Sequence, residues 1–538
     1  MIAKSIGKSI ASTLFFLFIS VLLFTACRSK KGAENYIPKD AAAIITINTS
    51  NIVTKLLFNN FEGIDLKSFL SLSEIFFLND VPIKKSPINA FFRNPGSSGL
   101  NLLDDIYVYV NDFSTEKKKF SGVFWNMDNA KKFETFLESN IAQKYNITIE
   151  DNNRFKTASF ENYKFAFGWN KEILVAIFPM ENTEENASLN KLEDIFEMRV
   201  SESISNDTNF VNLEKENDDI TVFARPEKLK SYTEKLFPNA FYGGVSYLNA
   251  HINFDDEDVK VNIKQYLQEE AITLYKDLLS ENLNSKLCEE IDDSELVAFL
   301  NFKYDKGFMA KFVKFYKMRL ALKAVVAATG VNENDLYELT EGDVFIAYAR
   351  NNQQKDNEIL NDSLDQDIKL PCFVAEVKTS SKMPTFLEKM SQNGILNKEE
   401  DVYNMKEILG YDTFIKLNEN KMLVTNDSSF VSKKKRRIIP EPDSEIQKLS
   451  EGYPVSAYVN FDRFISEASA IEQERFIDSD YFEVANLLKT ASFYTKPLQD
   501  NVMKSRLEIQ FKERNENSLS SLIRLLSLIE KNRNKSAS

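Results

Sequence analysis

The sequence predicts an α+β fold made of two tandem, internally duplicated repeats of mainly antiparallel sheet with packed helices. Three observations carry that prediction. Segments recur in the same order in the two halves of the chain, strand-like runs are joined by tight polar turns, and helical stripes fall between them.

The first half opens with Pro38-Lys39-Asp40, an apolar strand at 43–48 and a helix from Ile52. The second opens with Asp292-Asp293-Ser294, a strand at 296–302 and a helix from Lys306. A strand at 106–109 answers to one at 344–348, each after an acidic lead-in. The run 122–125 leads into a helix containing Thr135-Phe136-Leu137-Glu138, and 372–375 into one containing Thr385-Phe386-Leu387-Glu388, the same quartet 250 positions on. Residues 163–177 turn at Asn170-Lys171, and 411–425 at Asn418-Glu419-Asn420. Such turns need no crossover and make antiparallel neighbours. A strand at 220–224 precedes a helix near Leu229, and one at 455–459 a helix near Phe464. Each half closes on a long hairpin and a helix, at 245–265 with 269–279 and at 492–511 with 519–529.

In the first of those hairpins Val259, Val261 and Ile263 alternate with Lys260, Asn262 and Lys264, the pattern of a strand with one wet face. Phe308, Phe312, Phe315 and Tyr316 fall at helical spacing and read as core. No Pro/Gly-rich linker separates the halves around 287–294, so they are expected to pack against each other. The expected organisation is a signal peptide at 1–26, a polar, lipidated tether at 27–36, a first repeat at 37–290 and a second at 291–538. The first repeat carries a helical insertion at about 64–99, and the second a polar, disordered loop at about 351–369.

Lys4 and Lys8 precede an uncharged run at 14–24, the length of an export-signal core and too short to span a bilayer. Thr25, Ala26 and Cys27 follow, a pattern that resembles the bacterial lipobox, with Phe24 where Leu is usual. Cys27 is then the acylated mature N-terminus; two or more chains anchor stably, where one holds only marginally. Removing 1–26 leaves 65 basic and 80 acidic side chains, a net charge of −15. Phosphate binding needs a basic face, so nucleic acid is excluded as a partner.

Few residues offer chemistry. The chain has one His and three Cys. Cys288 and Cys372 are expected to be free thiols, and His251, on a strand, to be structural. Asp255-Asp256-Glu257-Asp258 reads as a solvated hairpin tip rather than a Ca²⁺ loop, which needs a glycine for its sharp turn. Ser432 and Lys435 lack the supporting motifs of a Ser/Lys nucleophile. Lys433, Lys434, Lys435, Arg436 and Arg437 form the one dense basic run, an exposed connector or a patch for an anionic partner. Ser363, in Asp362-Ser363-Leu364, is a candidate O-glycosylation acceptor. No catalytic, cofactor-binding or metal-ligating set stands out.

A lipobox followed by Ile37-Pro38-Lys39-Asp40-Ala41 resembles the opening of a family of Bacteroidota lipoproteins, domain of unknown function 4836. Asn94-Pro95-Gly96-Ser97-Ser98-Gly99-Leu100 and Asp219-Ile220-Thr221-Val222-Phe223-Ala224 look like two further phrases of that family, in order along the chain. The resemblance implies no activity and no catalytic residues. The expected function is a non-enzymatic, lipid-anchored interaction or scaffold module of the cell envelope, held on the outer membrane and facing the periplasm. Its partners are the membrane and envelope proteins. Two alternatives stay open: a carrier or sensor of an apolar ligand, and a carboxylate-dependent glycan hydrolase, which needs two facing acids about 5–10 Å apart.

Overall fold

The computed structural model describes residues 32–58, 95–111, 119–142, 145–160, 163–180, 186–230, 244–279, 296–304, 307–315, 323, 332–349, 372–408, 411–431, 445–467, 485–512, 517–525 and 528. Cys27, Cys288, Ser363, the run Lys433 to Arg437, the signal segment, the loop at 351–369 and most of the insertion at 64–99 lie outside the described residues.

Among the described residues twenty strands form one sheet, and every pairing in it is antiparallel. From one side the order is β4 (Ile147–Asp151), β5 (Lys156–Phe160), β6 (Tyr163–Trp169), β7 (Ile173–Pro179), β3 (Phe120–Asn126), β2 (Ile106–Val110), β1 (Ala43–Ile47), β8 (Ile220–Ala224), β9 (Val245–Phe254) and β10 (Asp258–Leu267). It continues through β20 (Val502–Phe511), β19 (Leu488–Thr495), β18 (Val455–Asn460), β11 (Leu296–Tyr304), β12 (Thr340–Ala349), β13 (Cys372–Thr379), β17 (Lys421–Thr425), β16 (Tyr411–Asn418), β15 (Val402–Ile408) and β14 (Asn397–Glu399). The last ten strands in sequence are thus ordered among themselves as the first ten are. The two sets meet where β10 pairs with β20, in unbroken register from Asp258↔Gln510 to Tyr266↔Val502.

Alternation along the strands gives the sheet two faces, each covered by helices. In the first half Ile47, Trp125, Leu174, Ala176, Ile220, Phe254 and Val259 share one core with the helix Ala130–Phe136 and the helical residues 518–525. Ile44, Tyr107, Tyr109, Phe124, Val175 and Phe223 form the core of the other face, under the helices Ala187–Glu197 and Thr208–Leu213. In the second half the helix Glu445–Gly452 packs Ile446 and Leu449 against Phe299, Phe345 and Tyr458. Met383 and Leu387 of the helix Met383–Gln392 cover Tyr403 and Ile415 on β15 and β16. Phe308 and Phe312 join Leu274 and Tyr304 in a smaller core, as their helical spacing predicts.

Local chemistry explains the short phrases. Gly99 sits at φ +76°, and its carbonyl accepts from the amides of Asp128 (3.0 Å) and Asn129 (2.9 Å) at the start of the helix Ala130–Phe136. A side chain there would lie 2.4 Å from the Asn129 carbonyl, so only glycine fits. In the Ile37 to Ala41 phrase, Ile37 O accepts from Ile204 N, Lys39 N donates to Glu202 O, and the Arg225 guanidinium reaches Ala41 O at 2.5 Å. Residues 33–36, read from sequence as the end of the tether, form a 3₁₀ turn with Ala33 fully buried. The Thr135-to-Glu138 quartet straddles a change of helix type, from the α-helix ending at Phe136 to a π-helical turn at Leu137–Ala142.

Candidate functional site

One line of register partners crosses nine strands: Tyr107 on β2, Thr46 on β1, Thr221 on β8, His251 on β9, Asn262 on β10, Arg506 on β20, Tyr494 on β19, Ser456 on β18 and Asn301 on β11. Residues directly opposite in an antiparallel ladder point to the same face, so this is a continuous polar row across one face of the sheet. Tyr107, Thr46, Thr221, His251, Ser456 and Asn301 are buried.

In the first half the segment after the helix Thr208–Leu213 lies over the row and supplies carboxylates at alternate positions, Glu214, Glu216 and Asp218. Glu214 accepts from the Thr46 hydroxyl at 2.7 Å, the Tyr107 hydroxyl at 3.2 Å and the Thr221 hydroxyl at 3.5 Å. Burial, above all, pushes the Glu214 carboxyl up to about 7; the Thr46 and Tyr107 hydrogen bonds oppose the rise, and the charges of Asp105 and Glu34 add to it. Burial likewise raises Tyr107, reinforced by Glu214, and raises Glu34.

One step along the row, His251 Nδ1 lies 2.6 Å from Asp218 Oδ2 and 3.3 Å from Glu216 Oε2. The far oxygen of each carboxylate is held from outside the trio. Asn253 Nδ2 donates to Asp218 Oδ1 at 2.6 Å, and Lys264 Nζ to Glu216 Oε1 at 2.9 Å. Burial works to raise Asp218, but the hydrogen bonds from His251 and Asn253 outweigh it and leave the carboxyl below its ordinary range. His251 Nε2, on the opposite side of the ring, is buried and carries no hydrogen bond. Asp219, next in sequence, is almost completely buried and accepts from Phe254 N at 2.7 Å and Lys55 Nζ at 2.5 Å.

The second half treats its end of the row with neutral groups. Ser456 Oγ lies 2.6 Å from Asn301 Oδ1 and 2.5 Å from Leu449 O, and Asn301 Nδ2 donates to Ser450 O at 2.7 Å, pinning the helix Glu445–Gly452 to the sheet.

A cleft of about 640 Å³ lies beside the Ile37 to Ala41 phrase, with Lys39, Asp40, Asp194, Glu202, Arg225 and Lys228 in its walls. Its walls carry charges of both signs; Arg225 also pairs with Asp207 at 2.6 Å, and Lys228 Nζ donates to the main-chain carbonyl of Asp40 at 2.7 Å. Such walls do not make the enclosed apolar chamber that a carrier of an apolar ligand would need. No helix among the described residues is long and apolar enough to cross a membrane.

The sequence placed His251 on a strand but offered it no partners, because the carboxylates stand 33 and 35 positions away on a connecting segment. The alternation Glu214, Glu216, Asp218 just before β8 was the one signal pointing to them. Of the residues singled out from sequence, Cys27, Ser363, Lys433, Lys434, Lys435, Arg436 and Arg437 lie outside the described residues, and Cys372 begins β13.

Residues 33–519 match the family model described as Domain of unknown function (DUF4836). No curated protein matches the chain. Among solved structures, crystal form I of TP0453 is similar over 45% of this chain and 81% of its own, with 8% identity and a TM-score of 0.29. Crystal form III of TP0453 is similar over 44% and 79%, with 9% identity and a TM-score of 0.27.

Proposed function

The chain belongs to the DUF4836 family, whose description assigns no activity, and from that premise we propose a lipid-anchored, non-enzymatic scaffold of the bacterial cell envelope, built by internal duplication. The observation that carries the scaffold reading is the single sheet that runs through both halves, joined by the β10–β20 ladder. A body of that width, its halves joined by an inter-strand ladder, presents long surfaces for envelope partners. The duplication draws on the matched strand order and on the paired Thr-Phe-Leu-Glu quartets. The anchor draws on Lys4, Lys8, the apolar run and Cys27, and the location proposed with it is the outer membrane, facing the periplasm.

Cys27→Ser is the test. In cells fed a palmitate analogue, the natural chain should carry label and sediment with membranes, and the variant should lose both. Label retained in the variant would overturn the anchor. Crosslinking from membranes should then recover discrete envelope partners, and recovery of none would remove the scaffold reading.

A second reading, a carboxylate-dependent glycan hydrolase, draws on Glu214, whose carboxyl is half protonated near neutrality. A general acid must reach substrate. Both Glu214 oxygens are instead occupied by Thr46 and Tyr107 beneath the covering segment, which favours the structural role.

A further inference from the structure

We propose that Glu216, Asp218 and His251 form a binding site for a divalent cation of the zinc class. The donor atoms Glu216 Oε2, Asp218 Oδ2 and His251 Nδ1 lie within 4.8 Å of one another. Zinc bonds of about 2.0–2.2 Å at tetrahedral angles place neighbouring ligand atoms about 3.3 Å apart. His251 Nδ1 and Glu216 Oε2 already have that separation, at 3.3 Å. Asp218 Oδ2, at 2.6 Å, has to retreat by less than about 1 Å for the cation to enter.

The surroundings are those of a ligand set. Carboxylates that bind metal are themselves held by outer hydrogen bonds. Here Asn253 takes Asp218 Oδ1 and Lys264 takes Glu216 Oε1, which leaves the other oxygen of each turned towards the imidazole. Metal binding needs the lone pair on Nδ1 and moves the ring proton to Nε2. The hydrogen bond between Nδ1 and Asp218 is thereby replaced by the metal bond. The two carboxylates carry two negative charges, of which the Lys264 ammonium offsets one.

Exposure sets the coordination. The His251 side chain is 3% exposed and forms the floor, while that of Glu216 is 50% exposed and leaves a fourth position facing water. One imidazole with two carboxylates suits Zn²⁺ or a similar transition cation; Ca²⁺ and Mg²⁺ prefer oxygen alone, and Cu(I) prefers sulfur.

The test uses the full mature chain with both thiols alkylated, stripped by chelator and dialysed against Zn²⁺ alone. One Zn²⁺ per chain is expected, with release by chelator. Asp218→Asn and Glu216→Ala should each weaken binding at least roughly tenfold, and Lys264→Met, outside the ligand set, should also weaken it. Far-ultraviolet circular dichroism of each variant separates loss of the site from loss of the fold. Binding of no Zn²⁺ at micromolar concentration, or binding that the folded Asp218→Asn and Glu216→Ala variants retain in full, would overturn the site.

Discussion

Thr221 and His251 stand opposite each other in the β8–β9 register, yet they answer to different carboxylates, Thr221 to Glu214 at 3.5 Å and His251 to Asp218 at 2.6 Å. Two acids four residues apart on one segment thus meet neighbouring points of the same row. Their environments move them in opposite directions, Glu214 up and Asp218 down.

That divergence has a pH signature. The Glu214 carboxyl titrates at about 7 in the folded chain against 4.5 as a free side chain. Between those values the folded state binds more protons, so this group's contribution to stability falls as pH rises from 4.5 to 7 and then levels. Glu214→Gln keeps a neutral group of the same shape and should flatten that part of the profile by on the order of 2 kcal/mol. Urea unfolding at pH 5 and pH 8 checks it; parallel profiles for the two chains would refute it. Asp218 acts in the opposite sense, its contribution being present above 3.8 and lost as pH falls through its lower folded value, outside this window.

Asp219 ties β8 to both β9 and the helix Thr49–Phe58, through Phe254 N and Lys55 Nζ. Asp219→Ala leaves a buried amide without this acceptor and removes a close ion-pair partner of the Lys55 ammonium. A loss of about 2–4 kcal/mol is expected, read as a drop in the urea midpoint.

Gly99→Ala should destabilise by about 1–3 kcal/mol, since it combines a left-handed backbone with a collision against the backbone of Asn129 and Phe133. Gly96→Ala, three residues earlier, meets nothing within 4 Å and is the neutral comparison. Equal melting temperatures for the two variants would contradict this account.

A chain truncated after residue 290 loses β20 and leaves β10 with an unsatisfied ladder nine residues long. Such a fragment should self-associate, with light scattering giving a dimer or larger species. A stable monomer at high concentration would mean that the β10–β20 pairing adds little.

Strands with strong alternation were legible in the sequence. Val259, Val261 and Ile263 mark β10, and the turns at Asn170 and Asn418 fall between β6 and β7 and between β16 and β17. The outer strands were not. Four of the five residues of β4 are exposed, as are all three of β14, so neither carries a buried face to pattern its sequence. β5 and β15 went unread for want of a visible partner, although Ala158 and Tyr403 are buried. The site was hidden for another reason. Its geometry depends on a connecting segment folding back over the sheet, and register across β2, β1, β8 and β9 is a long-range property that no local window contains.

The rim strands are short, five residues in β4 and three in β14, whereas the ten-residue strands β9, β10 and β20 are paired on both sides. The rims end on Glu150-Asp151 and on Lys398-Glu399. Another chain seeking to add a strand to the described sheet therefore finds only short, charged stretches, too brief to hold it, while the long backbone surfaces are engaged within the molecule. Among the described residues, the breadth of the sheet leaves no long open edge for a second copy.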